Sequence, residues 1–134
     1  MKKLLILFVF LTAISVNAQI SVIANQSVSE SSITVGNAGN IYSLTKTKWS
    51  DGSKIIVFDN SSDAKNAFYA SIGKDQLSMK KEWMKKQLTG EAKAPETLGS
   101  DADIIAKVAS TPGAIGYVKS SSVNSSVKVL LEIK

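Results

Sequence analysis

The four consecutive apolar residues at positions 55–58 constrain the fold of this chain more than any other segment of its sequence. A strand with one face in water alternates apolar and polar side chains, whereas an unbroken apolar run of this length is typical of a strand buried on both faces. Burial on both faces requires other elements above and below the sheet. The run therefore predicts an α/β fold with helices on both faces of a central sheet.

Three further segments have the composition of strands, at residues 20–24, 114–119 and 127–133. The first two are short, largely apolar runs, and the third alternates, which is typical of a strand with one buried face. The alternation predicts that four apolar side chains of the third segment share one face, namely Val127, Val129, Leu131 and Ile133.

Helical patterns occupy four segments, at residues 34–42, 63–72, 78–88 and 100–110. Ser62 and Ser100 are predicted to cap the second and the fourth of these helices. In the third, Trp83, Met84 and Leu88 are predicted to face the core, with the lysines turned outward. The order of elements along the chain is strand, helix, strand, several helices, strand, strand, which predicts one domain of three layers.

The segment at residues 1–18 has the three-part order of a secretory signal peptide. A basic start is followed by a mostly apolar run at residues 4–14 and by a small-residue cleavage site at residues 16–18. The alternative is a membrane anchor, but an anchor needs about twenty apolar residues and this run is shorter. We therefore expect cleavage near Ala18, a single mature domain at residues 19–134, and a periplasmic or secreted location.

The absence of histidine and cysteine excludes several classes of function. Without them the chain cannot build a serine–histidine triad, a cysteine nucleophile or the usual zinc and copper sites. We therefore predict that the protein is not an enzyme and carries no cofactor, and we assign no catalytic or metal-binding residue. All 16 basic residues are lysines. Since arginine is the usual side chain for base edges and bidentate phosphate contacts, nucleic acid is not an expected partner.

The most suggestive stretch for ligand binding runs from the end of the buried strand into the following helix. Ligands of open α/β sheets bind at this position, where free backbone N–H groups and the helix dipole favour an anion. The alternative is that the serines only cap the helix, and that the carboxylate itself satisfies the dipole and repels an anion. The predicted anion-binding residues are Asn60, Ser61, Ser62 and Asp63. Asp101 and Asp103, at the start of another helix, are interpreted as matching the dipole of that helix.

Residues 111–118, with the sequence TPGAIGYV, resemble the Pro-Gly-(Ser/Ala)-Ile-Gly-Tyr-Val segment of phosphate-type ABC transporter substrate-binding proteins. The WSDG turn at residues 49–52, Trp83 and Pro95 extend the resemblance over nearly the whole mature chain, which is most similar to short members with one lobe. The resemblance implies a single lobe of the type II periplasmic-binding-protein-like fold, with a mixed, mostly parallel sheet flanked by helices. It also implies an exported, non-catalytic protein whose partners are phosphate or another small oxyanion and an ABC permease or another envelope protein.

The chain departs from that family at the anion-binding loop. The family's Arg-x-Asp-Gly-Ser-Gly-Thr loop corresponds to residues 58–64, where only Ser62 matches a ligand-holding position. Phe58 stands at the arginine position, and Asp63 and Ala64 replace the following glycine and threonine. The second lobe, which closes the cleft in the family, has no counterpart in the sequence.

Two hypotheses about function follow from this comparison. The first is an exported solute-binding module for phosphate or a related oxyanion, whose cleft a homodimer or a partner would complete. The second is an envelope interaction or structural protein that keeps the fold but has lost the anion site. A hydrolase is a distant third, for want of a nucleophile motif.

Overall fold

The structure, a computed structural model, describes residues 19–134, so the predicted signal peptide at residues 1–18 lies outside the described residues. Five strands form one sheet: β1 (Ile20–Ala24), β2 (Ile56–Asn60), β3 (Glu96–Leu98), β4 (Ala114–Lys119) and β5 (Lys128–Ile133). Their order across the sheet is β3-β2-β4-β1-β5. β2 pairs in parallel with β3 and β4, whereas β1 pairs antiparallel with β4 and β5.

Four α-helices cover the two faces of this sheet: α1 (Val35–Tyr42), α2 (Ala64–Ser71), α3 (Gln76–Leu88) and α4 (Asp101–Ser110). The first three helices share one core cluster, and α4 packs into a second cluster on the other face. Alternate side chains of β4 enter the two clusters, Ile115 and Tyr117 on one side and Val118 on the other. The predicted three-layer α/β fold, with a mixed sheet flanked by helices, is confirmed. The sheet is mostly parallel in that every strand but β1 runs in the same direction, although two of the four pairings are antiparallel.

The contact between β4 and α4 leaves no room for a side chain at Gly116. A Cβ atom at this position would lie 2.7 Å from Cγ2 of Ile104 and 3.1 Å from Cγ2 of Val108. Both neighbours are β-branched residues of a helix and therefore have little freedom to move aside. Glycine at this position lets α4 pack directly on the backbone of the strand.

The helix starts agree with the sequence except at α2. Thr34 and Ser100 cap their helices through side-chain bonds to Asn37 N and Asp103 N, as the sequence predicts for Ser100. At α2 the N-cap residue is Asp63, whose side chain makes no capping bond, but the predicted cap Ser62 still accepts at Oγ from the backbone N–H of Ala64 at 3.3 Å. The same hydroxyl donates to a carboxylate in another part of the fold.

The predicted inward face of α3 is only partly right. Trp83 is buried, but Met84 and Leu88 are exposed, and Met79 packs into the core in their place. The helix carries apolar side chains on two opposite sides. From the sequence alone, two narrow apolar stripes on opposite sides of a helix cannot be distinguished from one wide apolar face.

The predicted single apolar face of β5 is also wrong. Val127, just before the strand, and Val129 pack with α4, whereas Leu131 and Ile133 pack on the opposite face. The cause is a shift of register against β1, in which consecutive residues of β1 pair with Leu131 and Val129. Leu130 is the extra residue of this β-bulge, and it is buried. After the bulge, the apolar side chains of the strand lie on the opposite face of the sheet.

Candidate anion site

The candidate site lies where the parallel strands end. β2, β3 and β4 run in the same direction, so the segments that follow them meet at one edge of the sheet. This edge carries the loop of residues 60–63, the start of α4 and the end of β4. We call the loop of residues 60–63 the β2–α2 loop. The structure thus brings the four predicted residues together at the edge where α/β sheets bind their ligands.

Asn60 is fully buried and its side chain is engaged on all sides. Its Nδ2 donates to Oδ1 of Asp101 at 2.8 Å and to the carbonyl of Tyr117 at 2.9 Å. Its Oδ1 accepts from the backbone N–H of Ser62 at 2.8 Å. The side-chain amide therefore joins β2, β4 and α4 through hydrogen bonds, and its N–H groups are not available to a ligand.

Asp101, at the first turn of α4, is the centre of the hydrogen bonds at this edge. Its Oδ1 accepts from Asn60 and from the hydroxyl of Ser62 at 2.9 Å. Its Oδ2 accepts from the backbone N–H of Lys119 at 3.1 Å and from the hydroxyl of Ser122 at 2.9 Å. Partial burial raises the pKa of this carboxyl, but the hydrogen bonds lower it by more, so the pKa lies below its usual value.

This role of Asp101 is not predictable from the sequence, which indicates only that its charge matches the helix dipole. Nothing in the chain near Asp101 indicates that Asn60 and Ser62, about forty positions earlier, donate to it. A carboxylate held by an amide, hydroxyls and a backbone N–H has the surroundings of a bound oxyanion. The protein's own side chain already occupies part of the predicted donor set.

Ser61 and Asp63 face the solvent. The backbone N–H of Ser61 donates to the carbonyl of Leu98 at 2.9 Å, and its hydroxyl donates to the same carbonyl at 3.2 Å. Oδ2 of Asp63 lies 3.3 Å from Nζ of Lys119 in an exposed ion pair. Such a pair is weak in water and opens readily. The accessible groups at this edge are therefore the hydroxyl of Ser61, the carboxylate of Asp63 and the ammonium of Lys119.

Beneath the loop lies a buried polar cluster around Asp59. Its Oδ1 accepts from the hydroxyls of Tyr117 at 2.7 Å and Tyr69 at 3.0 Å, and its Oδ2 lies 3.4 Å from Nζ of Lys65. Burial, and then the charge of Asp59, raise the pKa of both tyrosines well above the usual range, so both remain donors. The carbonyl oxygen of Asn60 lies 2.8 Å from the same hydroxyl oxygen of Tyr117 and is the alternative acceptor for its single hydrogen. The cluster fixes the start of the β2–α2 loop on a rigid base.

Residues 19–134 contain neither a cluster of metal ligands nor a helix suited to crossing a membrane. No group of three or more acidic residues in this part of the chain is close enough to hold a metal ion. No helix there has the length and apolar character needed to cross a bilayer. A groove of about 770 Å³ lies toward the amino-terminal half of β2, lined by Ile56 and Val57 among others, and the β2–α2 loop is not part of it.

Solved structures of phosphate-binding proteins share the fold of this chain. A phosphate ABC transporter substrate-binding protein from Clostridium perfringens, solved with bound phosphate, matches with a TM-score of 0.69 and 20% identity over 84% of this chain. An ABC-type phosphate transport receptor from Vibrio cholerae gives a TM-score of 0.65 at 18% identity over 85% of this chain. PstS from Borrelia burgdorferi gives 0.62 at 19% identity over 84%.

This chain spans less than half of each of those proteins, covering 45%, 49% and 47% of their respective lengths. No protein-family model and no curated protein matches the sequence. The likeness at such low identity is one of fold. The chain therefore has the periplasmic-binding-protein-like fold of the phosphate ABC transporter substrate-binding proteins, in a single lobe.

Proposed function

We propose that this protein is an exported solute-binding module that binds phosphate or a related small oxyanion at the β2–α2 loop. The observation that carries the proposal is the fold, shared with several phosphate-binding proteins, one of them solved with phosphate bound. The location of the loop, at the carboxyl ends of parallel strands and before α2, supports it.

The donors for the anion are those that Asp101 does not use. The ammonium of Lys119 reaches the loop, as its contact with Asp63 demonstrates. The exposed hydroxyl of Ser61 becomes a further donor when it turns away from the carbonyl of Leu98. The amino-terminal end of α2 adds the positive end of a helix dipole. An incoming anion competes with Asp63 for Lys119 at the open edge of the sheet.

An open edge holds an oxyanion weakly, because small anions are bound tightly only when many donors enclose them. A second surface that closes over the β2–α2 loop would supply further donors and exclude water. The ABC permease, another envelope protein or a second copy of this chain would provide that surface. Export to the periplasm or the cell exterior is part of the proposal, supported by the signal-peptide pattern at residues 1–18.

The proposal is tested by thermal unfolding of residues 19–134 in phosphate, with sulfate and chloride at the same ionic strength as controls. A ligand present at about 100 times its dissociation constant stabilises a protein by about 2.7 kcal/mol. For a domain of this size we expect the unfolding midpoint to rise by about 10 °C. Lys119→Gln and Ser61→Ala should reduce the rise, whereas Lys107→Gln, a matched change of an exposed lysine on α4, should not.

An unchanged midpoint in every anion would contradict the proposal. The second hypothesis, an envelope interaction or structural protein that keeps the fold without the anion site, would then take its place. Cross-linking in the intact cell envelope would be the next experiment, and a specific protein partner would be the expected product.

A further inference from the structure

Four large apolar side chains are exposed among residues 19–134, and three of them belong to α3. Leu77 is 62% exposed, Met84 65% and Leu88 82%, and the fourth residue, Val35, lies elsewhere. Single exposed apolar residues are normal on a protein surface. A concentration of them on one helix is unusual and indicates a surface that is covered in use.

The three residues lie along one side of α3. A helix turns by about 100° per residue, so spacings of seven and four residues place Leu77, Met84 and Leu88 within about 40° of one another. We call this line of side chains the α3 stripe. Met79 and Trp83 point to the opposite side, where both are buried in the core. The α3 stripe is therefore separate from the surface that folds the protein.

Lysines flank the α3 stripe on both sides. By the same helical geometry, Lys80 lies along one edge, and Lys81 and Lys85 lie along the other. All three are exposed. Glu82, the one acidic residue of the helix, lies well away from the stripe. The exposed side of α3 thus carries an apolar centre with three positive charges around it.

The core holds α3 in place independently of this exposed side. Nε1 of Trp83 donates to the carbonyl of Tyr42 at 2.6 Å, and Nζ of Lys86 donates to the carbonyl of Ser43 at 2.8 Å. Both bonds join α3 to the end of α1. The α3 stripe is presented by a helix that is already folded, so docking on it requires little ordering.

We propose that α3 binds to the surface of an anionic phospholipid membrane. Leu77, Met84 and Leu88 enter the region between the headgroups and the acyl chains. The three flanking lysines extend toward the lipid phosphates, as their long side chains allow. A basic amphipathic helix with a short apolar stripe has the chemistry that such a surface selects.

The shape and area of the α3 stripe favour a membrane over a protein partner. A stable protein interface buries about 1,200–2,000 Å² in total and needs matching shapes. The stripe offers three side chains on the convex side of one helix, with charges immediately beside them. A lipid surface adapts to a convex helix and supplies negative charge everywhere along it.

The test is sedimentation of residues 19–134, which form both core clusters, with phospholipid vesicles. Vesicles of phosphatidylcholine with an equal part of phosphatidylglycerol are compared with pure phosphatidylcholine. Each lysine near an anionic surface strengthens binding by about fivefold, so three lysines predict a preference on the order of 100-fold for the anionic vesicles. Added salt should weaken this preference.

Two sets of variants separate the parts of the α3 stripe. Replacing Leu77, Met84 and Leu88 by glutamine should abolish binding, whereas Val35→Thr, the matched change of an exposed apolar residue elsewhere, should not. Replacing Lys80, Lys81 and Lys85 by glutamine should abolish the preference for anionic vesicles. The same change at three other exposed lysines, Lys54, Lys93 and Lys107, should reduce that preference much less.

Three results would overturn the proposal. One is the absence of binding to anionic vesicles by a protein whose thermal unfolding is normal. Another is binding that the glutamine variant of the α3 stripe retains in full. The third is self-association of the unchanged protein in solution, if the glutamine variant of the α3 stripe no longer self-associates but still binds vesicles. The α3 stripe would then be the contact surface for a second copy of the chain.

Discussion

Among single residues, Asp101 illustrates how a side chain at a helix start is used by the rest of the fold. Its four partners come from β2, the β2–α2 loop, the end of β4 and the turn after it. Two of these donors, Nδ2 of Asn60 and the backbone N–H of Lys119, cannot reverse their direction. Both terminal atoms of the side chain at position 101 must therefore be hydrogen-bond acceptors, as the two oxygens of a carboxylate are.

We predict that Asp101→Asn destabilises the protein by about 1–3 kcal/mol, because it leaves buried donors without acceptors. The side-chain N–H₂ of the new asparagine must replace one of the two oxygens of Asp101. It then faces another donor, either Nδ2 of Asn60 or the backbone N–H of Lys119, and no hydrogen bond forms. The free energy of unfolding in urea measures the loss. Asp103→Asn is the matched control, since Asp103 lies in the same first turn and is exposed. Equal losses in the two variants would contradict this account.

How far the site could be predicted depends on the distance between its parts along the chain. The position of residues 60–63 after a buried strand was enough to predict that they lie at a ligand-binding edge. Their pairing with Asp101 was not predictable, because it depends on which strands are neighbours. A local pattern contains no information about the order of strands in a sheet.

Between elements, α4 packs directly on the backbone of β4 at Gly116. We predict that Gly116→Ala destabilises the protein by about 1–3 kcal/mol, the usual cost of overpacking a core. The added methyl group would meet Ile104 and Val108, neither of which can move without displacing the helix. The urea midpoint of the variant measures the effect.

Gly99→Ala is the control for this prediction. A Cβ atom at Gly99 meets no other atom within 4 Å, so the control should change the stability little. An unaltered midpoint in Gly116→Ala would mean that α4 has room to shift on the sheet.

The elements themselves were predictable where their ends or their faces are marked by the sequence. The cap at Ser100 and the extent of β4 were predicted correctly because a serine, a proline and an apolar run define them. β3 was not predicted, because three residues, two of them polar, form no pattern of their own. The buried faces of β5 and α3 were predicted wrongly. In β5 a bulge interrupts the alternation, and α3 has a second, exposed apolar stripe, and neither feature is visible in the sequence pattern.

For the whole molecule, the absence of histidine determines how stability depends on pH. No side chain has an ordinary pKa between about 5 and 8, so we predict a constant free energy of unfolding over that range. The pKa values of Asp101 and Glu30 are lowered in the folded protein. A carboxyl group whose pKa is lower in the folded than in the unfolded chain stabilises the fold at pH values above its unfolded pKa, which is about 4. This contribution is lost as the pH falls through the pKa of the folded state.

Urea unfolding at a series of pH values checks this prediction. Stability should begin to fall only below about pH 4, and Asp101→Asn should show a shallower fall, since it lacks one of the groups concerned. A decline between pH 5 and 8 would require a strongly shifted carboxyl or lysine in the core.

The position of β1 between β4 and β5 has a consequence for the order in which the molecule can form. β1 is the first strand along the described chain, yet its two neighbours, β4 and β5, are the last two. Ile20 pairs with Lys119 on one side and Ile133 on the other, so the sheet cannot close until nearly the whole chain is free. A chain still held by a ribosome or a secretion channel keeps its first strand unpaired. Under the proposed export, this connectivity delays folding until after the membrane has been crossed.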